Sequence, residues 1–267
     1  PGTLPEPIEP NEPVTNTTAT AAAIDDLQER LRPAAGVIIA GRSQTDPEAI
    51  LKLAEQLGWP VLADHRSGCR SPSSEVVVRC FDSLLRSSAF ASSHRPEVVL
   101  RIGEIVASKS LSQWLSASAA ADTSVFSSRP HGRTIDPESI ANILFDEPGV
   151  IAELANRLTG PAADPSWLAS WSNADLTAAA IIDAAVAAGP QPNEIAIAQA
   201  CVRSVPTGGA LVLSASMPVR DVEWFGPNRN DITVIANRGA NGIDGVVATA
   251  LGVALAGQPT VCLIGDV

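Results

Sequence analysis

Short apolar segments rich in β-branched residues alternate with segments of helical periodicity along most of the chain. Residues 35–40, 60–63 and 98–102 have the pattern of buried strands, and residues 22–31 and 46–57 have the pattern of helices. Strands that alternate with helices are joined by right-handed crossovers and form parallel sheets covered on both faces. We therefore predict an α/β fold built from two doubly wound, mainly parallel sheets, the second of them truncated.

The same alternation continues toward the end of the chain. Further predicted helices cover residues 111–121, 137–145, 175–188, 193–205 and 246–256, and further predicted strands cover residues 124–127, 210–214, 232–236 and 260–264. Prolines and glycines between residues 146 and 165 surround one short helical segment and favour a domain boundary near residue 160. Residues 1–20 are rich in Pro, Thr, Asn and Glu, which is typical of an extended linker. The predicted organisation is a linker (1–20), a middle α/β domain (21–160) and part of a second α/β domain (161–267).

Composition and net charge limit the kinds of molecule that the protein is expected to bind. The 267 residues are 45% hydrophobic, which supports globular folding, and the formal net charge is −11. Nucleic acids and anionic membrane surfaces bind clustered Lys and Arg, so this balance predicts neither as a partner. The sequence contains no uninterrupted apolar span of about 18 residues and no secretory leader, so we expect neither membrane insertion nor export.

The cysteines and histidines indicate a reduced protein without a zinc site. No two cysteines form a C-x-x-C pair, and no two histidines have the spacing of metal ligands on one helix. The cysteines are Cys69, Cys80, Cys201 and Cys262. We therefore expect free thiols and a cytoplasmic location.

A glycine-rich run from Asn237 to Gly245 lies between a predicted strand and a predicted helix. Glycines in such a turn let the backbone approach a ligand and present free N–H groups to it, and Arg238 adds a planar cation suited to carboxylate or phosphate. The run matches neither the dinucleotide fingerprint nor the nucleotide-binding loop with its terminal lysine. Alternatively, the glycines serve only turn geometry, and Arg238 is a solvated surface charge.

Three polar segments each follow a predicted strand. Ser216 and Arg220 follow the strand at 210–214, Arg238 follows the strand at 232–236, and Asp266 follows the last strand. The carboxyl ends of parallel strands share one edge of a sheet, where ligands bind in open α/β folds. The three segments are therefore predicted to line one crevice.

These segments also resemble a known family. Ser216-Met217-Pro218-Val219-Arg220-Asp221, the run from Asn237 to Gly245, and Ile264-Gly265-Asp266 are similar, in order and spacing, to motifs of the 2-succinyl-5-enolpyruvyl-6-hydroxy-3-cyclohexene-1-carboxylate synthases of menaquinone biosynthesis. A weaker similarity covers residues 106–114, where the family has a substrate-facing lysine at the position of Lys109. Some relatives have arginine at the next position, which is Ser110 here. Without the resemblance, Lys109 is interpreted as an exposed lysine at a helix start.

The resemblance implies a cofactor, a metal and two acidic substrates. The cofactor is thiamine diphosphate with Mg²⁺ or Mn²⁺, and the reaction is decarboxylation of 2-oxoglutarate followed by addition of the resulting carbanion to isochorismate. The implied residues are Lys109, Ser216, Arg220 and Arg238 for substrate, Gly242, Ile243 and Gly265 for cofactor, and Asp266 for metal. From the residues alone, Asp266 is equally an ordinary strand-end aspartate, and Ile243 is equally a core residue at a helix start.

The resemblance covers only part of such an enzyme. The family's activating glutamate lies in a preceding domain that has no counterpart here, so no catalytic side chain is predicted in this chain, and we expect a fragment that is inactive by itself. The family's shared site implies a homodimer or homotetramer. Two alternatives remain: another thiamine-diphosphate enzyme that decarboxylates 2-oxoacids or makes acetohydroxyacids, and a non-catalytic module that binds small anions.

Overall fold

The computed structural model describes residues 21–31, 35–129, 136–146, 149–158, 164–237 and 244–265. Within them the chain forms two parallel sheets, one of five strands and one of three. This confirms the predicted α/β class. The predicted linker at residues 1–20 and the predicted boundary near residue 160 lie outside the described residues, so the domain limits stay a prediction. None of the helices in these ranges is long and apolar enough to cross a membrane.

The first sheet has the strand order β2-β1-β3-β4-β5, and each neighbouring pair is parallel. Its strands are β1 (Gly36–Ala40), β2 (Val61–Ala63), β3 (Val98–Ile102), β4 (Ser124–Arg129) and β5 (Ile143–Asp146). All residues of β1, β2 and β3 are buried. Strands covered on both faces need apolar side chains on both, which explains why these three strands are apolar except for the buried Arg101 in β3.

Seven helices accompany this sheet among the described residues: α1 (Ala21–Leu31), α2 (Pro47–Leu57), α3 (Phe81–Leu85), α4 (Ser88–Ser93), α5 (Lys109–Ala119), α6 (Gly149–Arg157) and α7 (Pro165–Ala188). Alternate residues of β1 point to opposite faces. Ile38 packs in a core with residues of α1, α2 and α6, whereas Val37 and Ile39 pack in a second core with residues of α3, α5 and α7. The first sheet is therefore sandwiched between two helical layers.

The second sheet has the order β7-β6-β8, again with parallel pairing. Its elements are α8 (Glu194–Ser204), β6 (Ala210–Leu213), α9 (Met217–Phe225), β7 (Thr233–Ala236), α10 (Val246–Leu255) and β8 (Thr260–Leu263). Buried side chains of α8 and α9 pack on β6. Residues of α10 are largely exposed, Leu255 by 88%.

The predicted helix at residues 137–145 is wrong. Residues 143–146 form β5, which pairs with β4. The preceding segment cannot continue as a helix because its polar groups bind the sheet: Asp136 and Glu138 both pair with the buried Arg101, and Asn142 exchanges hydrogen bonds with the backbone of Val125. The apolar residues that follow therefore lie at the edge of the sheet and pair with β4 as a strand.

Helices α3, α4 and α9 were not predicted from the sequence. The first two are short, with five and six residues. The third, α9, begins after a three-residue turn that follows β6, the central strand of the second sheet. It has Pro218 in its first turn, where the missing N–H of proline is tolerated. This helix carries part of the candidate site.

Candidate functional site

A cavity of about 710 Å³ opens at the carboxyl ends of β6 and β8. These strands are neighbours, and the N–H of Ser214 donates to the carbonyl of Leu263 at 3.0 Å just where both end. The cavity is lined by residues 214–218 and Asp221 after β6, by residues 263–265 at the end of β8, and by Glu194 and Ile197 of α8. Its position is the one that open parallel sheets use for ligands.

Ser216 forms the turn that leads from β6 into α9. Its backbone has φ 69° and ψ −126°, a conformation that glycine adopts much more readily than serine. Ser216 stands at the N-cap position, but its side chain accepts no capping hydrogen bond from the helix. Ser216 lines the cavity, and its hydroxyl is not used to cap the helix.

The start of α10 faces the same edge of the sheet. Gly245, with φ 79°, is its N-cap residue and provides no side chain. The hydroxyl of Thr249, in the first turns of α10, donates to the Oδ1 atom of Asn237 at 3.3 Å. This hydrogen bond holds the two ends of the glycine-rich run together, since Asn237 directly follows β7.

Two carboxyl groups belong to the cavity wall. Asp221 is 5% exposed, and burial together with the charge of Glu194 raises its pKa to about 6, against an opposing effect of Arg220. The sequence analysis assigned no role to either residue. Asp221 was already present in the segment that carries the resemblance, whereas Glu194 is brought to the cavity only by the packing of α8.

The structure brings some predicted site residues together. Ser216 and Gly265 line the same cavity, which confirms that these two strand ends meet at one crevice. Arg220 is exposed on α9, one turn beyond Ser216, and is not a lining residue. Lys109 is exposed at the first position of α5, in the five-stranded unit, and does not line the cavity.

Four predicted site residues, Arg238, Gly242, Ile243 and Asp266, lie outside the described residues. Their placement and their predicted roles therefore stay predictions. Within the described ranges, no group of three or more His, Cys, Asp and Glu residues is arranged to hold a metal ion.

The described part of the site fits a diphosphate-bearing cofactor. Gly265 is exposed at the cavity, and a Cβ atom placed on it would meet no other atom within 4 Å, so its backbone is open to a ligand. Gly245 provides no side-chain cap to α10. The N–H groups in the first turn of an α-helix have no partner within the helix, and they favour anions. Backbone donors and an open glycine are what phosphate oxygens require.

Comparisons with known proteins identify the family. Residues 6–213 match the family model described as "Middle domain of thiamine pyrophosphate". Proteins named 2-succinyl-5-enolpyruvyl-6-hydroxy-3-cyclohexene-1-carboxylate synthase are similar to most of the chain. The one from Myxococcus xanthus is 36% identical over 97% of this chain and 44% of its own length. The one from Rubrobacter xylanophilus is 35% identical over 98% of this chain and 49% of its own length. The one from Chloroflexus aurantiacus is 38% identical over 86% of this chain and 41% of its own length.

The fold, the cavity and the family model together define a segment of a thiamine pyrophosphate enzyme that includes its middle domain. With the similarity to the named relatives, the chain belongs to the 2-succinyl-5-enolpyruvyl-6-hydroxy-3-cyclohexene-1-carboxylate synthase family. It spans less than half of the length of these relatives.

Proposed function

We propose that the chain is part of a thiamine-diphosphate-dependent synthase that decarboxylates 2-oxoglutarate and joins the remaining four-carbon unit to isochorismate, in menaquinone biosynthesis. The observation that carries this proposal is the cavity at the ends of β6 and β8, which joins Ser216 and Gly265 from two separate family motifs. The chain by itself is expected to be inactive, because the family's activating glutamate belongs to another domain.

Both proposed substrates are acidic, and they need cationic partners in a chain whose net charge is −11. Arg220 and Arg238 are proposed to bind their carboxylates, with Lys109 as a further cation. A planar guanidinium binds a carboxylate through two parallel hydrogen bonds and so fixes its orientation as well as its position. The hydroxyl of Ser216, which does not cap α9, is proposed as an additional donor to the substrate.

When bound, thiamine diphosphate supplies the electron sink that makes loss of CO₂ from a 2-oxoacid possible. The residues proposed to hold it are Gly242, Ile243 and Gly265. Asp266 is proposed as an oxygen ligand of Mg²⁺ or Mn²⁺, which would neutralise the diphosphate. The open backbone at Gly265 and the uncapped start of α10 support this assignment.

A cytoplasmic location and assembly into a homodimer or homotetramer are part of the same proposal. The thiols of all four cysteines are free, which suits a reducing compartment. The exposed side chains of Val247, Leu251 and Leu255 on α10 support coverage of this helix by another protein surface.

The assignment of substrate cations is tested in the complete protein that contains this chain. We expect Arg238→Ala and Arg220→Ala each to lower kcat/KM by about tenfold or more, since a lost charge-assisted hydrogen bond contributes roughly 1.5–3 kcal/mol. Arg30→Ala, on the exposed surface of α1, is the matched control and should leave the kinetics unchanged. Wild-type kinetics in both site variants would refute the assignment. Retained decarboxylation of 2-oxoacids without consumption of isochorismate would favour another thiamine-diphosphate enzyme.

A further inference from the structure

Three charged or titratable side chains form a buried cluster where the unit of the five-stranded sheet meets the unit of the three-stranded sheet. His65 and Arg70 follow β2 in the first unit, and Glu223 belongs to α9 in the second. The side chains of His65 and Glu223 are each 2% exposed, and that of Arg70 is 0% exposed. We call these three residues the buried cluster.

The carboxylate of Glu223 is the shared acceptor of the buried cluster. Its Oε2 atom accepts from the backbone N–H of His65 at 3.0 Å and lies 3.4 Å from Nδ1 of the same residue. Its Oε1 atom lies 3.4 Å from Nη2 of Arg70. The side chain of Glu223 thus binds both main-chain and side-chain groups of the loop after β2.

Arg70 extends this connection to the two backbones. Its Nε atom donates to the carbonyl of Ala63, the last residue of β2, at 2.8 Å, and its Nη2 atom donates to the carbonyl of Glu223 at 2.7 Å. One guanidinium therefore joins the carboxyl end of a strand in the first sheet to the main chain of α9. Because the guanidinium is planar, these contacts fix orientation as well as distance.

The protonation behaviour is consistent with an enclosed environment. Burial and the neighbouring Arg70 lower the pKa of His65 well below its usual value. Burial raises the pKa of Glu223, and the charge of Arg70 opposes that change. Burial of charged groups is costly and gives little net stability, so such pairs are better explained by the specific geometry they impose.

The helix held by the buried cluster is the one that presents the proposed substrate-binding residues. Ser216 is the N-cap residue of α9, and Arg220 lies one turn before Glu223. Just past the helix, a Cβ atom on Gly226 would lie 2.9 Å from Nε2 of His65, so the chain there packs directly on the histidine ring. The start of α9 is set by the Ser216 turn, and its end is set by the first unit.

We infer that Glu223 is a positioning residue: through Arg70 and His65 it fixes α9 against the first unit, so that Ser216 and Arg220 are held at the cavity in the geometry that substrate binding requires. This inference rests on the proposed function for the substrates of Ser216 and Arg220. It assigns a role in the site to the loop after β2, which acts through α9.

The test uses the complete protein and the variant Glu223→Gln, which keeps the shape of the side chain but removes its charge. The matched control is Asp136→Asn, which removes one carboxylate from another buried arginine pair, with Arg101, remote in sequence from α9. Both variants are assayed at a temperature below their unfolding midpoints. We expect Glu223→Gln to raise KM for isochorismate by about tenfold, while its Kd for thiamine diphosphate with Mg²⁺ stays near that of the wild type, since Gly265 follows β8 and is not part of α9.

A second measurement does not depend on the reaction. Amide hydrogen exchange in Glu223→Gln should be faster in α9 and unchanged in α8, whereas Asp136→Asn should leave exchange in α9 unchanged. Exchange in α9 equal to that of the wild type, or a KM change equal to that of Asp136→Asn, would overturn the inference. If the wild type does not consume isochorismate but exchange in α9 still rises in Glu223→Gln, the proposed substrate is wrong and the positioning of α9 stands.

Discussion

The hydroxyl of Thr249 donates to the side-chain oxygen of Asn237 at 3.3 Å and so connects the end of β7 with the first turns of α10. The two residues enclose the glycine-rich run on which the cofactor assignment depends. This hydrogen bond connects the residue before the glycine-rich turn to the helix that follows it.

Replacement of Thr249 by valine removes this hydrogen bond with little change in shape. We expect a loss of about 1 kcal/mol in the free energy of unfolding and weaker binding of thiamine diphosphate, since one hydrogen bond contributes about that much. Equilibrium unfolding in urea and cofactor titration of the complete protein measure the two effects. The control Thr177→Val removes a hydrogen bond to Asn173 on exposed α7 and should not change cofactor affinity. Equal cofactor affinity in the two variants would contradict the role of Thr249.

Ser216 offers a pair of substitutions that separates backbone strain from side-chain chemistry. Its φ of 69° is unfavourable for serine, so Ser216→Gly should increase the free energy of unfolding by about 1 kcal/mol, whereas Ser216→Ala should not. Both variants lack the hydroxyl, and both should bind substrate more weakly. Chemical unfolding and steady-state kinetics test the pair. A stabilised Ser216→Gly with wild-type kinetics would mean that the hydroxyl does not contact the substrate.

The raised pKa of Asp221 leads us to predict a specific pH dependence of the free energy of unfolding. Its pKa of about 6 in the folded protein is above the usual value near 3.8, so the folded state binds the proton more tightly than the unfolded state. The stabilisation from this group is complete below about pH 4 and is lost as the pH rises through about 6. Asp221→Asn should therefore be more stable than the wild type at about pH 7, with a smaller difference at about pH 4. Urea unfolding at both pH values measures this, and a difference independent of pH would exclude a raised pKa.

Gly41, which follows β1, is required by close packing rather than by ligand binding. A Cβ atom there would lie 1.7 Å from the backbone oxygen of Glu104, whereas a Cβ atom on Gly149, at the start of α6, would meet nothing within 4 Å. We expect Gly41→Ala to lower the free energy of unfolding by about 2 kcal/mol or more, and Gly149→Ala to be neutral or slightly stabilising. Thermal unfolding of both variants checks this. Equal unfolding midpoints for Gly41→Ala and Gly149→Ala would contradict this account, because they would mean that the loops at Gly41 and Glu104 can move apart with no loss of stability.

The elements that were predicted correctly are those whose secondary structure depends on the pattern of one short segment. The strand at 98–102 is buried along its whole length and is apolar except for Arg101, and its predicted and observed bounds agree. In contrast, residues 137–145 were predicted as a helix. The pairing of Asp136 and Glu138 with Arg101, which is distant in sequence, holds the segment before residue 143 at the sheet, so that residues 143–146 form an edge strand. Local pattern contains no information about such partners.

The same distinction applies to the site. The meeting of Ser216 and Gly265 follows from parallel topology, because both come directly after neighbouring strands. The position of Glu194 at the cavity depends on how α8 packs, and the contact between Glu223 and Arg70 depends on how α9 packs against the loop after β2. No sequence motif indicates either of them.

The central claim is most directly tested by incubating the complete protein with isochorismate and 2-oxoglutarate in the presence of thiamine diphosphate and Mg²⁺, and identifying the product by mass. We predict consumption of isochorismate, release of one CO₂ for each product molecule, and formation of 2-succinyl-5-enolpyruvyl-6-hydroxy-3-cyclohexene-1-carboxylate. Product formation should be lost when 2-oxoglutarate, thiamine diphosphate or Mg²⁺ is omitted. Unchanged isochorismate in the complete mixture, with the protein shown to bind the cofactor, would contradict the proposed function.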